Sequence, residues 1–558
     1  MEYPKCGMPE AAWGVGMIPE DPFSQYYASH LEDGYDVIDR LVLNAYFPLG
    51  QSPGGFRTWW RSLAGGDEHL DNAHLMRLAG RFSRRLRAWA EKSGVPVVDC
   101  AAGERKSEIA AGYLPADPSF RGVFAVLVGR APAPVWEVER FGSGGINLKR
   151  KQSWVNHYSF HLVDEEWGHV TIKICGHPPF TCQVLLNGHE YVASQARKAG
   201  LEFCKEGNCF TEVSNARGLS QVADTLRSTT AVGRLRQVCE RWIYSCLAFG
   251  LSLEEQERSG FRYSYSVYQA EASRNLLFRS GAEMEEVFDG VIDRTRAPLD
   301  IPLVKTVFGF KSQPRSRRSS SRCEVVVERP TYDMTVFKVH FGRLTLKGYT
   351  KGERVLRIEA IAHNVSDLRC GKVLERFPEM VTRLFGMVER FLEVLRCTGA
   401  AWISDGSLEG LAKPSQVGKT RVGGIDIGQR RPRAVMAAVL ELALSPQGFS
   451  ASEVATKVRQ VLDIDYQPRH AAYDLKKLRG QEWVSKPDGS RRYQTTPQGL
   501  RAMAALGALL DKVIRPLLAG TGRPEATRQP NREGALDRHY EAIQREMQGL
   551  FDALGLAA

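Results

Sequence analysis

The segment "AAYDLKKLRGQEWVSKPDGSRRYQTTPQG" (471–499) decides how the C-terminal part of this chain is laid out. Its first half belongs to a helical run, "QPRHAAYDLKKLRGQEWV" (467–484), that ends near Gly480. The second half, "VSKPDGSRRYQTT" (484–496), reads as two short extended arms around Pro-Asp-Gly-Ser, the residue types that a tight hairpin turn selects. Working backwards, "SASEVATKVRQVL" (450–462) opens with Ser450 and Glu453 three residues on, a capping box that starts a helix. Before that, "PRAVMAAVLELALSPQ" (432–447) has a proline in its first turn and a Ser-Pro stop.

Three helices followed by a hairpin, over Pro432 to Thr496, resemble the winged helix of bacterial regulators of the MarR and PadR type. In such domains the third helix enters the major groove and the wing touches backbone or minor groove. The resemblance implies that Gln467, Arg469, His470, Tyr473, Lys476 and Lys477 face DNA, with Lys486, Arg491, Arg492 and Tyr493 as wing contacts. Charge agrees: Arg430 to Arg501 holds 13 Lys or Arg against 7 Asp or Glu, an excess of six in a protein whose total is +11. Neutralising phosphates is the physical use for such an excess.

With 558 residues the chain is too long for one hydrophobic core. The expected class is α+β multidomain. Residues 1–310 form an α+β body, divisible into 1–150 and 151–310. The stretch 311–322, "KSQPRSRRSSSR", is a basic Ser/Arg linker, because five basic residues and no acid in twelve positions cannot bury a face. Residues 323–410 form an antiparallel sheet plus a helix, 411–431 a Gly- and Arg-rich linker, 432–520 the winged helix, and 535–556 an amphipathic helix through which two copies could dimerise. The helix after the central strands, "GKVLERFPEMVTRLFGMVERFLEVLRC" (371–397), places Val373, Phe377, Val381, Phe385, Val388 and Leu392 on one face. Further upstream, "VPVVDC" (95–100), "GERKSEIAAGYL" (103–114) and "GVFAVLVGR" (122–130) read as strand, helix and strand.

Candidate chemistry lies upstream. "HYSFHLVDEEWGHVTIKICGHPPF" (157–180) concentrates His157, His161, Asp164, Glu165, Glu166, His169 and His177. On a strand, His157 and His161 share a face but lie about 13 Å apart, too far to chelate one ion. The spaced set Asp164, Glu166 and Lys173 would suit a nuclease using Mg²⁺ or Mn²⁺, while a polar surface hairpin needs no chemistry. Cys175, His177, Cys204 and Cys209 lack the paired spacing of zinc ribbons, so the sequence leaves zinc open. Arg105 and Lys106, at a loop entering a helix, are placed to hold a phosphate. In "LTLKGYTKGERVLRIEAIAHN" (344–364), Lys347, Tyr349 and Lys351 alternate on one strand face, and Arg357 and Glu359 on the next. This pattern is similar to one in phage and plasmid replication initiators. The resemblance implies a tyrosine nucleophile, Tyr349, its phenol acidified by Lys347 and Lys351, which also hold the phosphate.

The eleven cysteines form no evident disulfide framework and suit reduced thiols. No uninterrupted apolar run of about 18 residues is present, and the N-terminus lacks the pattern of a signal peptide, so a cytoplasmic protein with no membrane partner is expected. DNA is the expected partner, in replication, recombination or mobility of a genetic element. A ligand- or partner-sensing regulator and an RNA-binding protein are the alternatives.

Overall fold

The computed structural model describes residues 18–141, 145–295, 325–328, 336–341, 343–399, 410–462 and 464–510, with six more between 538 and 546. The linker expected at 311–322 lies outside the described residues, as does nearly all of the helix expected at 535–556.

The chain opens with α1 (Pro22–Tyr26), whose Asp21 cap also pairs with Arg274, and β1 (Leu31–Tyr46). A pair of helices follows, α2 (Pro53–Ala64) and α3 (Asn72–Ser93). Gly94 caps α3 with φ 67°, a conformation glycine adopts without strain. Then come β2 (Val97–Asp99), α4 (Lys106–Ala111) and β3 (Gly122–Arg140), the strand, helix, strand unit expected from sequence, with β2 and β3 parallel. Strands β4 (Ile146–Asp164), β5 (Gly168–Cys175) and β6 (Cys182–Asn187) form a meander. It feeds α5 (Gly188–Lys198), the hairpin β7 (Phe203–Glu206) and β8 (Cys209–Val213), and the helices α6 (Ala216–Asp224), α7 (Thr230–Leu247) and α8 (Leu253–Arg258). After β9 (Ser264–Phe278) and α9 (Gly281–Thr295) follow β10 (Val325–Glu328), β11 (Val336–Phe341), β12 (Leu344–Lys351), β13 (Val355–Ala362) and α10 (Phe377–Gly399). The expected helix at 371–397 thus starts at Phe377, and Val373, counted on its apolar face, is exposed outside it.

Eleven strands join in one mixed sheet, in the order β10-β11-β12-β13-β9-β1-β6-β5-β4-β3-β2. The expected boundary between a body ending at 310 and a separate sheet at 323–410 therefore does not divide the sheet: β13 pairs with β9 over eight residues. The strand that makes this junction, β9, was not anticipated from sequence.

Because side chains alternate along a strand, the register sorts them into two faces. One carries Tyr158, Phe160, Ile172, Ile174, Val184, Leu43, Ala272, Ile358 and Leu346, all buried. Against it pack α3, where Phe82 stacks on Tyr158 with centroids 4.4 Å apart, and α10, whose Val381, Phe385, Val388 and Leu392 are buried. The opposite face carries His157, Ser159, His161, Lys173, Gln183, Asn44, Glu271, Ser273, Asn275, Arg357, Glu359, Lys347 and Tyr349. Much of this polar face is itself buried, with His157, Ser159, His161, Ser273, Asn275, Arg357 and Glu359 largely shielded from water, so its polar groups need partners inside the protein.

The C-terminal residues form α11 (Arg430–Ala443), α12 (Ala451–Leu462) and α13 (Pro468–Gly480), then α14 (Pro497–Leu509), which packs on α10. Between them a three-stranded antiparallel sheet is ordered β16 (Phe449–Ser450), β18 (Arg492–Thr495), β17 (Val484–Ser485). Part of the expected linker at 411–431 is ordered as a hairpin, β14 (Ser415–Val417) and β15 (Thr420–Val422), lying against α13.

Candidate functional site

Two places bring candidate side chains together: the polar face of the large sheet, and the surface of α13 with its flanking hairpins.

On the large sheet a bulge sets the first cluster. Ile38 pairs with Ala272 and Leu41 with Ala270, so Asp39 and Arg40 both stand opposite Glu271. Such an extra residue re-aims side chains. Asp39 meets His189 Nδ1 at 2.6 Å and Arg357 at 3.7 Å, with all three buried. Arg357 Nε donates to Asn275 Oδ1 at 2.6 Å, and its Nη2 reaches the Asn208 carbonyl and, at 3.3 Å, His189 Nε2. Burial alone would raise the Asp39 carboxyl, but His189 and Arg357 outweigh it and hold the group at about 2. Lys347 Nζ lies 3.4 Å from Glu359, its cross-strand partner. Burial, then Glu359 and Asp39, pushes Glu271 up to about 7, and burial with Arg357 brings Lys351 down to about 8.

Tyr349 stands beside Arg357 in the register. Its expected acidification is reversed. Burial, followed by the Glu359 carboxylate, drives the phenol well above its ordinary value, although Arg357 pulls the other way. Lys351 donates to the Asn208 side chain and Lys347 is turned to Glu359, so neither lysine serves the tyrosine.

The set Asp164, Glu166 and Lys173 is not assembled. Asp164 is buried on the apolar side, where Oδ2 accepts from Arg241 and Trp242 Nε1, each at 2.7 Å, and Oδ1 accepts from the backbone N–H of Glu166 and Trp167. Lys173 pairs with Ser159 on the polar face. Asp164 therefore closes the β4–β5 turn, and Glu166 lies within that turn. Among the described residues no group of three or more His, Cys, Asp or Glu is arranged to hold a metal ion. Cys175 and His177 sit at the end of β5, whereas Cys209 touches the Tyr35 hydroxyl. Seven described cysteines are free thiols, while Cys204 is disulfide-bonded, a departure from the expected reduced set. Arg105 is exposed and paired with Glu108 at 2.8 Å, whereas Lys106 reaches over Gly129 of β3.

In the C-terminal unit the cations divide into two groups. Arg431 pairs with Asp474 and stacks on Tyr466, whose hydroxyl also donates to Asp474. Lys457 pairs with Glu441 in the interior. Arg492, expected to touch DNA, instead donates to the carbonyls of Gln447 and Gly448 and pairs with Glu453, tying β18 to the start of α12. Tyr493 is buried and stacks on Phe449. His470 is half-buried, its Nδ1 accepting from the Gln467 N–H at the start of α13. The others point outward. Arg469, Lys486 and Arg491 are exposed, Tyr473 is 49% exposed, and Lys476 and Lys477 are half-exposed. None of these five cations is ion-paired among the described residues. Lys477 lies over the Tyr473 ring and Lys486 over Tyr493.

The hairpin β14–β15 and the residues just before it add Lys413, Lys419 and Arg421, all exposed. Its Ser415 and Val422 abut Gly480, so closely that a side-chain carbon there would collide with Ser415.

No protein-family model, curated protein or solved structure matches this chain.

Proposed function

We propose that this protein binds duplex DNA through a C-terminal winged helix, acting in replication, recombination or mobility of a genetic element. In this reading α11, α12 and α13 are the three helices, β16 to β18 the small sheet, and residues 485–492 the wing. The observation that carries it is the sorting of charge: Arg431, Lys457 and Arg492 each have a carboxylate partner, while among the described residues Arg469, Lys476, Lys477, Lys486 and Arg491, on α13 and its adjoining hairpin, have none. Lysines kept at half exposure without a counter-ion on one helix and its adjoining hairpin suit a polyanion. Tyr473, exposed in mid-helix, is the candidate for base contact beside Arg469.

The hairpin β14–β15 flanks α13 at its Gly480 end, and with Lys413 just before it carries three more exposed cations that have no ion pair among the described residues, so the reading places basic ribbons beside the helix at two positions. Binding carries the proposal, and catalysis is not part of it.

The test is fluorescence anisotropy with a labelled duplex at several salt concentrations. The variant carrying Lys476→Ala, Lys477→Ala, Lys486→Ala and Arg491→Ala should bind more weakly and lose roughly one unit of salt slope per phosphate contact removed. Unchanged affinity and slope would sink the reading.

A further inference from the structure

The polar face of the sheet holds a second cluster, remote in the strand order from Asp39. His157, Ser159 and His161 follow one another on β4, and their neighbours on β5 are Cys175, Lys173 and Thr171. From the other side, α4 lays Lys106 across β3, so that its Nζ is 2.5 Å from where a side-chain carbon at Gly129 would stand. Gly129 is the β3 partner of His157. Lys106 and Lys173 thus approach from opposite sides of β4, across two strand spacings of about 10 Å in all, a gap two lysine side chains close when both turn to one anion.

Neither lysine has a carboxylate partner among the described residues. The acids around the cluster are engaged elsewhere: Glu190 with Lys205 at 2.7 Å, Asp99 with Arg87 at 2.8 Å, and Glu104 with the backbone N–H of Ala101. Burial and the crowding of positive charge act in one direction here. Burial first and then Lys106 lowers Lys173, burial and the lysines bring His157 to about 4, and burial with His169 and Lys106 brings His161 to about 4.

A separate observation concerns His161, which is 5% exposed. Its Nδ1 is engaged by Thr171 Oγ1 at 3.2 Å and His169 Nε2 at 3.0 Å, while its Nε2 is buried with no partner. When Thr171 donates to Nδ1, the neutral ring carries its proton on Nε2, a buried donor without an acceptor. Such a group is costly unless something completes it.

We propose that this patch is a phosphate-binding site, with Lys106 and Lys173 as its cationic arms and Ser159 and His161 Nε2 as neutral donors. The ligand is a phosphate group, whether on a small molecule or in a nucleic-acid strand. The proposal does not rest on the winged-helix reading, since it uses none of the same residues.

The experiment is titration calorimetry of the full chain with inorganic phosphate. A second arm uses an oligothymidylate lacking terminal phosphate, with the protein carrying the four alanines of α13 and the wing. The comparison variant is Lys106→Ala with Lys173→Met. Phosphate affinity should fall at least about tenfold in that variant, as loss of a charge-assisted contact implies. Its melting temperature should be unchanged or higher, because two lysines without counter-ions are removed; lysines with a merely structural role would lower it. Binding of phosphate alone assigns a small ligand, and binding of both assigns a strand backbone. No heat from either ligand at millimolar concentration, or equal affinity in wild type and variant, would overturn the proposal.

Discussion

At the scale of single residues, Arg357 is the clearest case of a side chain whose role its neighbours define. It is fully buried and touches Asp39, Asn275, His189 and the Asn208 carbonyl. Replacing it by methionine leaves Asp39 without its cationic partner in a dry site, and we expect a loss of about 3–5 kcal/mol in chemical denaturation. Asp39→Asn combined with Arg357→Met should cost less than the two single losses added together, because the second change removes the charge that the first exposes. Additive losses would show that the pair does not act as a unit. Tyr349 behaves differently from its sequence pattern. Its phenol is held in the neutral form by burial, so protein incubated with DNA should form no covalent adduct, and Tyr349→Phe should leave duplex affinity unchanged. A DNA-linked species trapped in wild type and lost in Tyr349→Phe would restore the nucleophile.

At the scale of elements, the C-terminal helices, the Ser450–Glu453 box and the β17–β18 hairpin were legible because each carries a local signal: a proline, a cap or a turn dipeptide. What local signals could not supply was the direction of each cation. Arg491 and Arg492 are adjacent and chemically identical, yet only the second turns inward to Glu453 and two carbonyls. Arg492→Ala should therefore cost about 1–3 kcal/mol of stability, whereas Arg491→Ala should change salt-dependent binding and leave thermal unfolding unaltered. Equal destabilisation by both would contradict this division. The strand β9 was illegible for a related reason. Its Glu271, Ser273 and Asn275 face the polar side, and Arg274 pairs with Asp36 and Asp21 on the other, so neither an apolar run nor a clean alternation marks it. Asp39 and His189 escaped notice because they meet only through the bulge in β1 and the start of α5.

At the scale of the whole molecule, one long sheet with an apolar face and a polar face replaces the two sheets expected on either side of residue 310, because β9 joins β1 to β13. That arrangement makes stability respond to acid. His157 and His161 titrate near 4 in the folded protein against about 6.5 when unfolded, so the unfolded chain binds more protons between those values. Stability should fall as pH drops through that window, by on the order of 2 kcal/mol per histidine. Glu271 and Glu441, each raised to about 7, work in the opposite direction, while His169, His177 and His189, also lowered by burial, add to His157 and His161 and set the net sign. Urea unfolding at pH 6.5 and 4.5 measures the loss, and His157→Gln with His161→Gln should flatten it; greater stability at the lower pH would contradict the assignment. Above the sheet's own physics stands the question of what the outward cations of α13 and its hairpins are for. The most direct measurement is the dependence of wild-type duplex affinity on salt. Eight exposed or half-exposed cations, Arg469, Lys476, Lys477, Lys486 and Arg491 with Lys413, Lys419 and Arg421, predict a steep fall in log K with log salt, with a slope of about −4 to −7. A slope near zero, or no retention of duplex at low salt, would contradict the account.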